Sequence, residues 1–97
     1  MNNPTDMSEE ALLEQLIEES GELIQAAAKR LRILRGESPT PVTLEKNMDA
    51  LIEELADVEC CTFAYETKLK LRHNITTRYY EKMNRWTERL MNMEKAK

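Results

Sequence analysis

Two pairs of carboxylates stand inside stretches that otherwise carry the apolar periodicity of buried helices, LIEESGELIQ and LIEELADV. The members of each pair are three residues apart, Glu19 and Glu22 in the first stretch, Glu54 and Asp57 in the second. Side chains at this spacing lie on one side of a helix. If the two stretches pack together, four carboxylates converge at the seam between them.

Carboxylates at a helix seam repel one another and lose hydration, at a cost of several kcal/mol for each uncompensated ion. They must be protonated, paired with bases or bound to metal. Bases are scarce beside them, because the nearby ones cluster at Lys29 to Arg35 and at Lys46, toward the predicted loop. Oxygen ligands without histidine or thiolate suit a hard cation. The residues therefore predict a site for Mg²⁺, or Mn²⁺, holding one ion or two.

The alternative for these acids is a solvated helix face, which is the more common setting for any single E-x-x-E pair. Two pairs on adjoining helices, separated by one tight connection, favour the metal site. The single histidine, His73, argues against a di-iron bundle, which needs E-x-x-H on two helices.

The composition predicts an all-α protein of one domain. The 97 residues include 2 Gly, 3 Pro and 5% aromatics, and the chain is rich in residues that favour helices. No run approaches the roughly 18 to 20 apolar residues that cross a bilayer, and the first residues lack signal-peptide form, so we expect a cytoplasmic protein without a membrane partner. The adjacent Cys60 and Cys61 fit reduced thiols.

Apolar periodicity and capping signals divide the chain into three helices. Ser8 can cap the first helix and Gly36 can end it in the left-handed conformation, while Asn74 can cap the third. We expect the chain ends to fray. The predicted segments are a flexible start at 1–7 and helices over 8–35, 43–71 and 75–94.

The first two helices are each about 42 Å long at 1.5 Å per residue, and a short loop joins them. They are predicted to form a long antiparallel hairpin. Their apolar faces are wider than one partner helix can cover. We therefore expect two hairpins to assemble into a four-helix bundle across a homodimer, with a tetramer as the larger alternative.

The net charge of −4 is unevenly distributed along the chain. Up to residue 67 there are 15 acidic and 5 basic residues, whereas from Lys68 onward there are 3 acidic and 9 basic residues. The acidic part would oppose a nucleic-acid polymer, so a small phosphorylated ligand held between the two parts is favoured.

The third helix carries two parallel stripes. Basic residues recur at i, i+4, i+7 and i+11 and can contact phosphates, with a solvated face as the alternative: Arg78, Lys82, Arg85 and Arg89. Apolar and aromatic residues form the second stripe, which is predicted to be core: Tyr79, Met83, Trp86, Leu90 and Met93. Base stacking by Trp86 is the other interpretation of that stripe.

The acidic motifs resemble those of the MazG-like nucleotide pyrophosphohydrolases, all-α relatives of the dimeric dUTPases and of phosphoribosyl-ATP pyrophosphohydrolase. The match consists of E-E-x-x-E at Glu18, Glu19 and Glu22 followed by E-x-x-D at Glu54 and Asp57. It continues through RGESPTPVTLEKNMDALIEELADV and more weakly into YYEKMNRWTERL. It covers most of the chain between Leu12 and Leu90.

The resemblance implies Mg²⁺-dependent hydrolysis of a nucleoside triphosphate between the α and β phosphates, in nucleotide pool sanitation. The implied metal ligands are Glu19, Glu22, Glu54 and Asp57, and Glu18 is free to orient or deprotonate the attacking water. The family's Lys, Asn and Arg are matched to Lys82 and to Asn84 or Arg85, although the spacing differs. Lys29, near the loop, is a further candidate nucleotide contact, from a neighbouring subunit.

Two other functions stay open. In a non-enzymatic helical oligomerisation or interaction module the acids are surface charge, and Mg²⁺ does not stabilise the protein. A related all-α hydrolase would act on another nucleotide, of the dUTP or phosphoribosyl-ATP type. The active-site motifs do not separate these substrates.

Overall fold

The computed structural model describes residues 3–37 and 44–96. Over these residues the chain is all-α, as predicted, with a short 3-10 helix followed by three long helices: Pro4–Asp6, then α1 (Glu9–Leu34), α2 (Leu44–Leu69) and α3 (Arg72–Lys95). The predicted start of the second helix at Thr43, and most of the connecting loop, lie outside the described residues. In the described part, no helix is long and apolar enough to cross a membrane.

The ends of α1 follow the predicted capping residues. The Ser8 Oγ accepts a hydrogen bond at 3.1 Å from the backbone N–H three residues later. After α1, Gly36 takes a φ of 67°, and the Glu37 N–H donates to the Arg32 carbonyl at 2.9 Å. This Schellman arrangement satisfies carbonyls that the last turn of a helix leaves free.

The break between α2 and α3 occurs earlier than predicted. Lys70 adopts a φ of 57°, and the Leu71 N–H donates to the Glu66 carbonyl at 2.9 Å, which ends α2 in a second Schellman arrangement. The third helix therefore begins at Arg72 rather than Ile75, and no side chain caps it. The prediction of Asn74 as the cap is wrong, because the left-handed residue at the corner is a lysine and carries no glycine signal.

An ion pair between an exposed arginine and a buried glutamate ties the start of α3 to α2. Glu66 is only 4% exposed, and its Oε1 accepts a hydrogen bond from the Arg72 Nη1 at 2.7 Å. A buried carboxylate without such a partner would be costly. The pair therefore helps to set the direction in which α3 leaves the hairpin.

The helices α1 and α2 form an antiparallel hairpin. At one end, the Tyr65 hydroxyl donates to Glu9 Oε1 at 2.9 Å; at the other, Arg30 Nη1 donates to the Leu44 carbonyl at 3.2 Å. Both bonds join the start of one helix to the end of the other. The apolar part of the seam includes the buried Leu12, Ala26 and Ala64. Half-buried side chains such as Leu16, Leu23, Leu51 and Val58 extend it.

The first described residues differ from the expectation of a flexible start. Asn3 accepts hydrogen bonds from the N–H and hydroxyl of Thr5, and closes the 3-10 turn. The Lys68 Nζ then donates to the Thr5 carbonyl at 3.2 Å. The turn is thus attached to the end of α2.

The helix α3 extends away from the hairpin, and all of its described residues are exposed. The radius of gyration is 17.5 Å, whereas a compact domain of this length would have about 12 to 13 Å. The stripe predicted to be core is exposed in the single chain, a correction that covers Tyr79, Met83, Trp86, Leu90 and Met93. The hairpin also leaves apolar side chains uncovered, among them Leu13, Ile17, Ile24, Leu31, Ile52, Leu55 and Phe63.

Candidate metal centre

Four carboxylates converge midway along the hairpin. Each contributes one oxygen to a cluster in which these atoms all lie within 4.8 Å of one another: Glu19 and Glu22 from α1, Glu54 and Asp57 from α2. The convergence follows from the i, i+3 spacing within each helix and from the antiparallel packing, which sets the two pairs at the same level. A cation placed among the four oxygens would meet ligands from both helices.

The two carboxylates deepest in the cluster lack hydrogen-bond partners for one oxygen each. Glu19 and Glu54 are half-buried, whereas Glu22 and Asp57 are exposed. The Oε2 atoms of Glu19 and Glu54 are buried, and neither accepts a hydrogen bond from the described residues. Buried polar atoms are normally paired, so these two oxygens indicate a missing donor or cation.

The same environment raises the pKa of both buried carboxyl groups. For Glu19 the largest cause is desolvation by burial, followed by the charges of Glu22 and Asp57. For Glu54 burial again dominates and the Glu22 charge comes next. Each cause disfavours a negative charge, so the cluster is relieved by a proton or by a cation.

A family model of the MazG nucleotide pyrophosphohydrolase domain matches residues 7–89. The chain belongs to this MazG family. The match includes α1, α2 and most of α3, so the carboxylate cluster lies within the matched region. No curated protein and no solved structure matches the chain.

The donor set of the MazG cluster fits a hard divalent ion. All four candidate ligand atoms are carboxylate oxygens, which Mg²⁺ and Mn²⁺ prefer. The half-buried Cys61 follows Asp57 by one turn, and burial, with the charge of Glu19 next, raises the pKa of its thiol. The Cys61 sulfur is not among the clustered ligand atoms.

Glu18 and Glu53 lie beside the cluster without joining it. Both side chains are exposed on the hairpin, next in sequence to Glu19 and Glu54 respectively. Glu18 is therefore not one of the clustered candidate ligands, and its role as the base stays a prediction.

The predicted phosphate contacts of α3 are not brought to the carboxylates within one chain. Lys82, Arg85 and Arg89 line one side of α3 together with Trp86, whereas Arg78 and Asn84 lie elsewhere on its exposed surface. Among the described residues, no residue of α3 lines the groove next to the cluster.

That groove brings predicted site residues together with others that the sequence analysis did not name, among them Asn47. It measures about 320 Å³ and is lined by Glu22, Gln25, Ala26, Lys29, Asn47, Ala50 and Glu54. The structure thus places Lys29 in the same groove as two of the carboxylates of its own chain. Asn47 lies seven residues before Glu54, and this spacing of two turns places both on the same face of a helix. The sequence therefore already indicated that Asn47 could lie beside the carboxylates.

Proposed function

We propose that this protein is a Mg²⁺-dependent nucleoside triphosphate pyrophosphohydrolase that converts a (d)NTP into the monophosphate and pyrophosphate. One observation carries the proposal: two pairs of carboxylates converge, and two of their buried oxygens have no partner among the described residues. Membership of the MazG family supports the reaction class.

In this mechanism Glu19, Glu22, Glu54 and Asp57 would hold the cation. When bound, the ion neutralises phosphate charge and acts as a Lewis acid. Glu18 orients a water molecule toward the α-phosphorus and takes its proton. The bond between the water oxygen and the α-phosphorus forms while the bond from that phosphorus to the bridging oxygen breaks, and the electron pair leaves with pyrophosphate.

The outer phosphates require positively charged side chains, and α3 does not bring its own to the cluster of the same chain. In the proposal, a homodimer supplies them: the hairpins of two copies form a four-helix bundle, or part of a tetramer, and cover the exposed apolar stripes. The third helix of one copy then reaches the cluster of the other and offers its polar side chains: Arg78, Lys82, Asn84, Arg85 and Arg89. Lys29 contacts the nucleotide within its own groove.

The deciding experiment measures pyrophosphate release across canonical and modified triphosphates, including dUTP, with Mg²⁺, with Mn²⁺ and with a chelator. We expect release only with a divalent ion. Glu54→Gln should lower turnover by at least about 100-fold, because the neutral amide is a weaker ligand and removes one charge from the site. Its helical content, measured by circular dichroism, should not change.

The matched control is Glu53→Gln, an exposed neighbour on the same helix, which should keep wild-type turnover. Full activity in Glu54→Gln would contradict the site assignment. If the wild-type protein neither releases pyrophosphate nor gains thermal stability from Mg²⁺, the non-enzymatic interaction module takes its place.

A further inference from the structure

We propose that the groove beside the carboxylate cluster binds the nucleoside end of the substrate, and that Asn47 recognises a hydrogen-bond donor there. The inference rests on the proposed function for the nature of the ligand. Residues of α1 and α2 line the groove, and Asn47 is not part of either acidic motif.

The groove begins at the cluster and continues toward the loop end of the hairpin. Glu22 and Glu54 belong to both the cluster and the groove, whereas Lys29 and Asn47 lie farther along, nearer the loop. Its volume of about 320 Å³ is at the lower end of the range for small-molecule sites. A ligand held at the cluster through its phosphates would therefore have room to extend along this groove.

Small side chains keep the groove open. Ala26 on α1 and Ala50 on α2 are two of its lining residues, and a longer side chain at either position would project into the space between the helices. Asn47 lies about 10.5 Å from Glu54 along α2 at 1.5 Å per residue. At that separation, Asn47 would contact the nucleoside of a ligand whose phosphates lie at the cluster, rather than the phosphates themselves.

Asn47 is the strongest sign that a ligand enters. It is 3% exposed, and its buried Oδ1 has no hydrogen-bond partner among the described residues. An amide oxygen only accepts hydrogen bonds, so a ligand group that pairs with it must be a donor. Ionised phosphate oxygens are acceptors as well and cannot satisfy it, whereas a base N–H or a sugar hydroxyl can.

The test titrates two probes into the full chain with Mg²⁺ by calorimetry: deoxynucleoside monophosphates carrying different bases, and inorganic pyrophosphate. In Asn47→Ala we expect the best-bound monophosphate to bind at least tenfold more weakly, while pyrophosphate affinity stays within twofold. A loss confined to one base identifies a base N–H as the donor, and an equal loss for all bases identifies the sugar. Both results support the proposal.

Two further variants separate binding from folding. Asn74→Ala, an exposed asparagine on α3, is the matched control and should bind both probes like the wild type. Ala50→Leu leaves Asn47 in place but fills the groove, and should weaken monophosphate binding without changing pyrophosphate binding. Circular dichroism and the melting temperature of ligand-free Asn47→Ala report any folding loss from removing this buried side chain, and unchanged pyrophosphate affinity shows that the carboxylate cluster stays intact.

The inference is overturned if Asn47→Ala and Ala50→Leu both keep monophosphate affinity within twofold of the wild type, or if they weaken pyrophosphate binding equally. If the wild-type protein still releases pyrophosphate with Mg²⁺ in a Glu54-dependent manner, only the nucleoside groove is wrong. A wild type that releases pyrophosphate from none of the triphosphates overturns the proposed function and, with it, the nucleoside groove.

Discussion

Glu19 and Glu54 are the carboxylates of the cluster whose burial costs the most folding free energy. Each has a carboxyl oxygen buried in the helix seam without a partner among the described residues, and each has a raised pKa. In the metal-free protein these charges oppose folding. A cation bound at the cluster would offset this cost.

The pH dependence of stability follows from the direction of these pKa shifts. Because burial raises both pKa values above the ordinary 4.5, the folded protein binds these protons more tightly than the unfolded chain does. Their stabilising contribution is complete below about pH 4.5 and is lost as the pH rises through the raised values. Without metal, Glu19→Gln/Glu54→Gln should therefore be more stable than the wild type at pH 7, with the gap closing toward pH 4.5.

Thermal unfolding in a chelator across this pH range measures that gap. The exposed pair Glu14→Gln/Glu53→Gln is the control and should not reproduce it. Adding Mg²⁺ at pH 7 should raise the melting temperature of the wild type and leave the double variant unchanged. A gap that does not vary with pH would mean that the two carboxyl groups do not carry this cost.

The corner between α2 and α3 contains a residue in an unfavourable backbone conformation. Lys70 takes the left-handed conformation at φ 57°, where a side chain costs about 1 to 2 kcal/mol. Glycine removes this cost but adds about 0.5 to 1 kcal/mol through the entropy of the unfolded chain. We expect Lys70→Gly to stabilise the protein by about 0.5 to 1 kcal/mol.

Urea unfolding at a fixed protein concentration measures the effect. Lys70→Ala is the control, since alanine keeps the Cβ that clashes and should give no gain. A Lys70→Gly variant no more stable than Lys70→Ala would show that this corner does not hold the left-handed conformation in solution.

The whole molecule is larger and more exposed than a self-contained domain of its length, and the apolar stripes on all three helices explain why a second copy is proposed. Ile24, which is 69% exposed, lies on the outer face of α1, on the same stripe as Ile17 and Leu31. A charge there would be buried in the proposed bundle, at a cost that association cannot offset. Ile24→Glu should therefore yield a monomer that has lost most of its turnover.

Sedimentation equilibrium distinguishes the two states, with Gln15→Glu, an exposed position of the same helix, as the control that should remain dimeric. A monomeric wild-type protein at assay concentration with full turnover would contradict the contribution of a second copy to the site.

The amino-acid sequence by itself determined the all-α class, the Ser8 and Gly36 boundaries of α1, and the pairing of acids within each helix. These features depend on local periodicity and on capping chemistry, which act over a few neighbouring residues. The i, i+3 spacing was enough to choose Glu19, Glu22, Glu54 and Asp57 as a candidate set, whose role as metal ligands stays a prediction.

Only the tertiary structure decided the left-handed conformation of Lys70, the burial of Glu66 against Arg72, and the burial of Asn47 beside the cluster. The Lys70 corner and the Glu66–Arg72 pair span only a few residues, but no glycine or capping residue signals a helix end there. The burial of Asn47 depends on how α1 and α2 pack, which no local pattern specifies. The exposure of α3 has the same origin, because an apolar stripe is compatible with burial in one chain or between two. Packing between helices, rather than periodicity along them, shapes the groove. It also determines which basic side chains of a single chain lie next to the groove.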